Sequence, residues 1–154
     1  MIGKLDSDTL GRVLDRTGAS SADLLTGAAY GEDAAAIDIG DGEILVVSSD
    51  PISLAADRAG TLGVSVACND VAASGADPEF LTNVIFLPEE DDETLATLTE
   101  QLDAAADALG VTIVGGHTEY VPALERPLLS LTAFGRTDHH VPTGGAQPGD
   151  RLLL

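Results

Sequence analysis

Two aspartates mark the outer ends of two apolar runs. Asp33 precedes the run AAAIDI, and Asp50 follows the run ILVVSS. The tight Gly40-Asp41-Gly42 turn between the runs predicts a β-hairpin, which would bring Asp33 and Asp50 side by side at its open end. Like charges placed so closely repel unless something compensates, and a divalent cation is the simplest compensation. The alternative is an ordinary pair of solvated loop residues.

A third aspartate lies on the most apolar predicted helix. Asp70 follows Val66 by about one helical turn in the stretch SVACNDVAASGADP. Burying an unpaired carboxylate costs several kcal/mol, so Asp70 should be ion-paired, metal-bound or turned toward a cleft. The chain has only 7 basic residues to pair with it. A magnesium ion shared by Asp33, Asp50 and Asp70 would satisfy all three, because Mg²⁺ prefers oxygen ligands and bridges carboxylates to phosphates.

The stretch GGHTEYVP carries a weaker signal. Gly115 and Gly116 follow a predicted strand and would let a backbone approach a phosphate, although two glycines also form plain turns. His117 and Glu119 are either substrate-facing groups or ordinary surface residues.

Composition excludes several classes of partner. There are 26 acidic residues against 7 basic ones, giving a net charge of −19 over 154 residues. Such a surface repels nucleic acid and anionic membranes, and no apolar run approaches the roughly 18 residues of a membrane span. The single Cys68 excludes an internal disulfide, fits core packing and favours a cytoplasmic location. Because the acidic residues are spread along the chain, most of the charge indicates halophilic adaptation.

The pattern of elements predicts one α/β domain, an α+β sandwich with helices on one face of a mixed sheet. The predicted helices span residues 7–17, with Ser7 as the cap, 59–74 and 91–109. The second of these is apolar nearly all round, which predicts burial. The predicted strands span residues 34–39, 43–49, 80–87, 111–116 and 127–137.

The C-terminal residues predict a boundary. Residues 144–150, GGAQPGD, form a turn-rich linker, and RLLL begins a strand. We therefore expect a domain at 1–143 and, at 144–154, a linker with the first strand of a missing C-terminal domain. His139 and His140 fall in the polar stretch before the linker and predict a loop.

Five short motifs together resemble a known superfamily. GEDAAAID, VVSSDPI, ACNDVAASGADP, GGHTEYVP and GAQPGDRLLL occur in the order found in the N-terminal domain of aminoimidazole ribonucleotide synthetase (PurM)-like proteins. That superfamily includes selenophosphate synthetase, thiamine-monophosphate kinase and the hydrogenase maturation factor HypE. The resemblance covers nearly the whole chain from Gly3 onward.

The resemblance implies a fold, a cofactor and a site. Its members have two α/β domains, pair their N-terminal sheets into a barrel across a homodimer, and bind ATP with Mg²⁺ between domains. Metal-binding aspartates fall in the motifs that match Asp33, Asp50 and Asp70. The implied nucleotide-binding residues are Lys4, Asn69, Gly115, Gly116, His117 and Thr118.

The resemblance also implies a reaction, the phosphorylation of an amide-type oxygen by ATP. The motif sequences most resemble those of HypE-like archaeal proteins, and this resemblance implies a maturation-factor partner. Glu32 departs from the pattern, because many relatives carry aspartate there, and His117 occupies a position that is acidic in the kinase and purine branches. Alternatives are a non-catalytic nucleotide-binding dimerisation or regulatory domain, or another branch such as the selenophosphate synthetase or thiamine-monophosphate kinase type.

Overall fold

The computed structural model describes residues 3–55 and 57–151. The helices in this part are α1 (Ser7–Leu14), α2 (Ala59–Ala73) and α3 (Asp92–Leu109). The strands are β1 (Leu24–Thr26), β2 (Ala34–Gly40), β3 (Glu43–Ile52), β4 (Asp77–Leu87), β5 (Thr112–Tyr120) and β6 (Leu128–Thr137). None of the described helices has the length and hydropathy needed to cross a membrane. Residues 152–154 of the predicted second-domain strand lie outside the described residues.

The strands form one six-stranded mixed sheet in the order β1-β2-β3-β6-β4-β5. β4 and β5 are parallel and are joined through α3, whereas the other neighbours are antiparallel. This confirms the predicted α/β class and the hairpin of β2 and β3. β6 is the last of the described strands, yet it lies in the middle of the sheet between β3 and β4.

α2 and α3 cover one face of the sheet, and the core lies between them and the alternate residues of the strands. Gly63 lets α2 approach β6 closely, because a Cβ there would lie 2.7 Å from Leu131 Cδ1. Gly60 allows the same approach to α3, where a Cβ would lie 2.7 Å from Gln101 Cβ. The expectation that α2 is buried all round was wrong. Leu62 is 45% exposed, because α3 covers only one flank of α2.

None of the described helices packs on the other face of the sheet, here called the open face. Its apolar side chains are half-buried or exposed: Ile37, Leu45, Val47, Phe80, Val84, Phe86 and Phe134. A polar pair interrupts them, since the hydroxyls of Ser49 and Thr132 lie 2.9 Å apart on neighbouring strands. The open face is therefore apolar with a polar centre.

The helix ends differ from the predicted ones at α1. Asp6, and not Ser7, is the N-cap residue, because the Thr9 amide donates to Asp6 Oδ1 at 2.9 Å. α1 ends at Leu14 and has no buried residue, so no tertiary packing holds a further turn to residue 17. α3 has the predicted ends, with Asp91 as N-cap and Gly110 in the left-handed conformation at φ 70°.

Several strands are longer than the sequence predicted. β3 continues through Pro51 to Ile52, and β4 begins at Asp77, because β6 pairs with both of them over nearly its whole length. β5 continues through its glycines to Tyr120, with an irregularity in its pairing next to Val114. β1 was missed because three residues show no alternation to detect.

Candidate functional site

A buried serine lies at the centre of the candidate site. Ser48 is 2% exposed, and its hydroxyl is within hydrogen-bond distance of three acceptors. These are the main-chain oxygen of Asp33 at 3.0 Å, Asp70 Oδ2 at 3.1 Å and Asp50 Oδ2 at 3.4 Å. We call Ser48, Asp50, Asp70 and the Asp33 carbonyl the acidic cluster. Alternation along β3 turns Ser48 and Asp50 to the face that α2 covers, and α2 brings Asp70 to them.

The acidic cluster has more acceptors than donors. A serine hydroxyl carries one proton, so it cannot serve three oxygens at once. Burial raises the pKa of Asp70, and so do the hydrogen bond with Asp50 and the repulsion from its charge, while hydrogen bonds from Ser48 and Asn69 act in the opposite direction. Within the described residues, the ion pairs involve Arg136 or His117 and none reaches this cluster. The arrangement therefore favours binding of a proton or a cation.

The side chains of Asp50 and Asp70 both reach the acidic cluster. Asp33 contributes only its main-chain oxygen. The β2–β3 register places Ala34 opposite Ser48, so Asp33 is one residue out of step with Asp50, and its side chain is exposed. Across residues 3–55 and 57–151, no three His, Cys, Asp or Glu side chains form a metal-binding group. The donor set still fits Mg²⁺, which is commonly held by one or two carboxylates and completed by substrate phosphates and water.

The nucleotide-binding residues predicted on β5 lie on the far side of the sheet from β3. Asp50 is opposite Leu131, Leu131 is opposite Asn83, and Asn83 is opposite Gly116. Three strand spacings of about 4.8 Å therefore separate Asp50 from Gly116, roughly 14 Å in all. Residues 115–118 do not contact the acidic cluster, and a ligand that used both would have to span this distance.

The side chains of β5 also divide between the two faces of the sheet. By register, Gly116 and Thr118 lie on the helix-covered face, whereas His117 and Glu119 lie on the open face. His117 Nε2 is 3.2 Å from Glu119 Oε2, and both side chains are exposed. A Cβ at Gly116 would collide with the main-chain oxygen of Asn83, so strand packing alone explains this glycine.

The remaining predicted residues are Lys4 and Asn69. Lys4 is exposed ahead of α1, and no ion pair among the described residues includes it. Asn69 is exposed on α2, and its side chain acts to lower the pKa of the neighbouring Asp70. Cys68 is buried as predicted, and burial raises the pKa of its thiol.

Two features of the site were missed in the sequence. Ser48 is the inward residue between Val46 and Asp50, and a polar residue at that position of an alternating strand was the available signal. The amide and the hydroxyl of Thr143 both donate to Glu32 Oε2, at 3.3 Å and 2.9 Å. Nothing in the sequence indicates this contact between distant residues.

A separate cleft lies away from the acidic cluster. This cleft, of about 700 Å³, lies between the N-terminal ends of α2 and α3, next to Asp57, Gln101 and Arg126. Ala59 is the residue of α2 that lines this cleft, and it precedes Asp70 by eleven residues. At 1.5 Å per residue, the two residues are about 16 Å apart along the helix. The crowded carboxylates lie at the acidic cluster and not in this cleft.

Residues 31–137 match the family model described as AIR synthase related protein, N-terminal domain. The chain belongs to this family. The matched range contains every residue of the acidic cluster and five of the six strands, β2 to β6. The match confirms the PurM-like resemblance and covers four of the five motifs, since GAQPGDRLLL follows the matched range.

Individual proteins agree with this assignment. The thiamine-monophosphate kinase of Salmonella typhimurium is 31% identical over 94% of this chain and 46% of its own length. The chain thus spans about half the length of the curated relatives it matches. The solved structure of a HypE-HypF complex covers 94% of this chain and 47% of its own, with a TM-score of 0.76 at 23% identity. The hydrogenase maturation protein HypE in complex with ATP covers 84% of this chain and 35% of its own, with a TM-score of 0.57 at 28% identity.

Proposed function

We propose that this chain is the ATP- and Mg²⁺-binding part of an enzyme that transfers a phosphoryl group from ATP. The observation that carries the proposal is the acidic cluster, in which two carboxylates from different elements and a main-chain oxygen share one hydroxyl proton. A scaffold has little reason to hold carboxylates in this way, because each resists burial near the other. The ATP complex of a HypE protein and the kinase named among the relatives support the same chemistry.

Asp50 and Asp70 would hold the Mg²⁺, with Asp33 at the edge of the site. The nucleotide would use the residues predicted for it: Lys4, Asn69, Gly115, Gly116, His117 and Thr118. The bound ion supplies charge neutralisation and orientation for the phosphates. This protein needs such an ion, because a chain of net charge −19 otherwise repels a polyphosphate.

The substrate of the proposed reaction is an amide-type oxygen, as in a HypE-like enzyme with a maturation-factor partner. Resemblance to the HypE-HypF complex supports this branch at the level of fold only. The thiamine-monophosphate kinase branch is the alternative, supported by 31% identity to the Salmonella protein. We place the ATP-binding domain at 1–143 and the linker to a C-terminal domain at 144–154.

We also propose that the open face pairs with the same face of a second copy to form a barrel. Its half-buried and exposed apolar residues from β2, β3, β4 and β6 need a cover, because large apolar patches are rare on monomers. A two-fold axis would place the Ser49–Thr132 pair of each copy inside the interface.

Calorimetric titration of ATP with and without Mg²⁺ tests the proposal. The samples are the full-length protein, its Asp50→Asn variant and, as a matched control, Asp38→Asn, which removes a carboxylate from β2 outside the cluster. We expect Mg²⁺ to strengthen ATP binding in wild type and Asp38→Asn but not in Asp50→Asn. Equal affinity in every condition would exclude the metal bridge. ATP binding without turnover of any amide substrate would instead favour a regulatory module.

A further inference from the structure

The segment that follows β6 is fastened to the domain near both sides of the acidic cluster. We call residues 139–143 the strap. The amide of Val141 donates to the Ser74 carbonyl at 2.9 Å, and His140 Nδ1 lies 3.2 Å from the same oxygen. The other ring nitrogen of His140, Nε2, lies 2.9 Å from Thr26 Oγ1 on β1. One imidazole thus joins the C-terminal end of α2 to the edge strand of the sheet.

A glycine provides the space for the strap. Gly75 has φ +88°, and a Cβ there would lie 2.8 Å from the main-chain oxygen of His139. The Ser74 amide donates to the Asp70 carbonyl at 3.1 Å, one helical turn back along α2. The strap therefore rests on the same end of α2 that carries Asp70.

The end of the strap reaches the opposite side of the acidic cluster. The Thr143 amide and hydroxyl both donate to Glu32 Oε2. Glu32 is directly before Asp33, and the Asp33 carbonyl accepts from the Ser48 hydroxyl at 3.0 Å. A continuous path of bonds thus runs from Thr143 through Glu32 and the Asp33 peptide to Ser48.

We propose that Thr143 is a positioning residue for the acidic cluster. By holding the Glu32 carboxylate, it fixes the adjoining peptide of Asp33 and with it the orientation of Ser48 toward Asp50 and Asp70. The inference rests on the proposed function of the cluster as the Mg²⁺–ATP site. Because binding linkage is reciprocal, occupation of that site also orders the strap.

The first test removes one hydroxyl and keeps the shape. Thr143→Val loses the hydroxyl donor to Glu32 and keeps the amide donor, and Thr143→Ser restores the hydroxyl. Thr99→Val is the control, since the Thr99 hydroxyl bonds only to carbonyls within α3, away from the strap. Titration of ATP at graded Mg²⁺ should show apparent Mg²⁺ affinity weakened about two- to ten-fold in Thr143→Val, the range of one hydrogen bond. Thr143→Ser and Thr99→Val should match wild type, and melting temperatures should agree across the set.

The second test needs no nucleotide. Hydrogen exchange of the ligand-free protein should be faster around residues 31–34 in Thr143→Val than in Thr99→Val. In wild type, Mg²⁺ with ATP should slow exchange across residues 139–143. Unchanged exchange at 31–34 in Thr143→Val overturns the positioning role, as does unchanged Mg²⁺ affinity. If wild type binds no Mg²⁺–ATP, the proposed function fails, and exchange at 31–34 alone decides the role of Thr143.

Discussion

At the scale of single residues, Ser48 accounts for how two carboxylates coexist beneath α2. Its one proton can shield Asp50 or Asp70, but not both together with the Asp33 carbonyl. Whichever oxygens it leaves unpaired attract a further positive charge. Burial first, and then the hydrogen bond with Asp50 and the repulsion from its charge, raise the pKa of Asp70.

The raised pKa predicts how stability depends on pH. The folded state holds a proton on Asp70 more tightly than the unfolded chain, whose carboxyl titrates near 3.8. Stability from this group is therefore present at low pH and is lost as pH rises from that value through the folded pKa. Without Mg²⁺, we expect Asp70→Asn to be more stable than wild type at neutral pH and the difference to shrink toward about pH 4.

Thermal melts in a chelating buffer, from about pH 4 to about pH 7, measure this difference. The variant must be compared with wild type, because Asp6, Glu79 and Asp91 have lowered pKa values in both proteins. These three groups make the free energy of unfolding rise with pH, the opposite of the effect of Asp70. Added Mg²⁺ should stabilise wild type and leave Asp70→Asn unchanged. A variant less stable than wild type at every pH would contradict the repulsion described here.

At the scale of elements, the packing of α2 depends on its glycines. Gly63 lies against Leu131 and Ile52, and Gly60 lies against α3. These contacts let α2 lie low on the sheet, which is what brings Asp70 within reach of Ser48.

We predict that Gly63→Ala lowers the free energy of unfolding by about 1–3 kcal/mol, the usual cost of overpacking a core. The added methyl would meet Leu131 Cδ1 at 2.7 Å and Cδ2 at 3.2 Å, so α2 or the leucine must move. Urea denaturation measures the change. Gly11→Ala on α1 is the control, because a Cβ there has open space. It should be neutral or slightly stabilising, and an equal loss in both variants would refute the packing argument.

The elements that the sequence predicted well are those with a local signal. Alternation and the Gly40–Gly42 turn gave the hairpin, and Asp91 with Gly110 gave the ends of α3. The missed features depend on tertiary pairing: β1 exists only against β2, and β5 continues past Gly116 because β4 supplies its partner. At the site, Asp50 and Asp70 were predicted from their setting. The one-residue offset of Asp33 was missed although the residue count contains it: Asp33 stands eight residues before Asp41 and Asp50 nine after it, and β2 and β3 pair symmetrically about Asp41 from Ala34 to Asp38.

At the scale of the whole molecule, charge dominates. The net charge is −19, and the ion pairs among the described residues are few. Self-repulsion should therefore weaken the fold wherever salt does not screen it. High salt is the condition in which we expect this protein to work.

We predict that the domain needs concentrated salt to stay folded. The Debye length is about 10 Å at 0.1 M and about 3 Å at 1 M, so molar salt screens the repulsion between neighbouring carboxylates. Circular dichroism during dilution from about 2 M potassium chloride should show loss of structure. Full retention of structure at low salt would argue against halophilic adaptation.

We predict that a lysine on the open face separates the proposed dimer. Val47 lies on that face beside Phe134, so Val47→Lys places a charge inside the interface. Leu62→Lys is the control, because Leu62 is 45% exposed on α2, away from the open face. Light scattering in high salt should give about twice the 15.7 kDa chain mass for wild type and Leu62→Lys, and the single mass for Val47→Lys. A wild-type monomer at micromolar concentration would contradict the barrel.

The central position of β6 has a consequence for biosynthesis. While the chain emerges from the ribosome, β3 and β4 each present an unpaired edge, since β6, the strand that joins them, is made after both. The hairpin of β2 and β3 and the β4–α3–β5 unit can form early, but they remain two separate halves until Leu128–Thr137 has left the exit tunnel. If translation stalls before that point, the unpaired edges of β3 and β4 are open to β-pairing with other nascent chains. Completion of this domain is therefore a late, all-or-none event in its own translation.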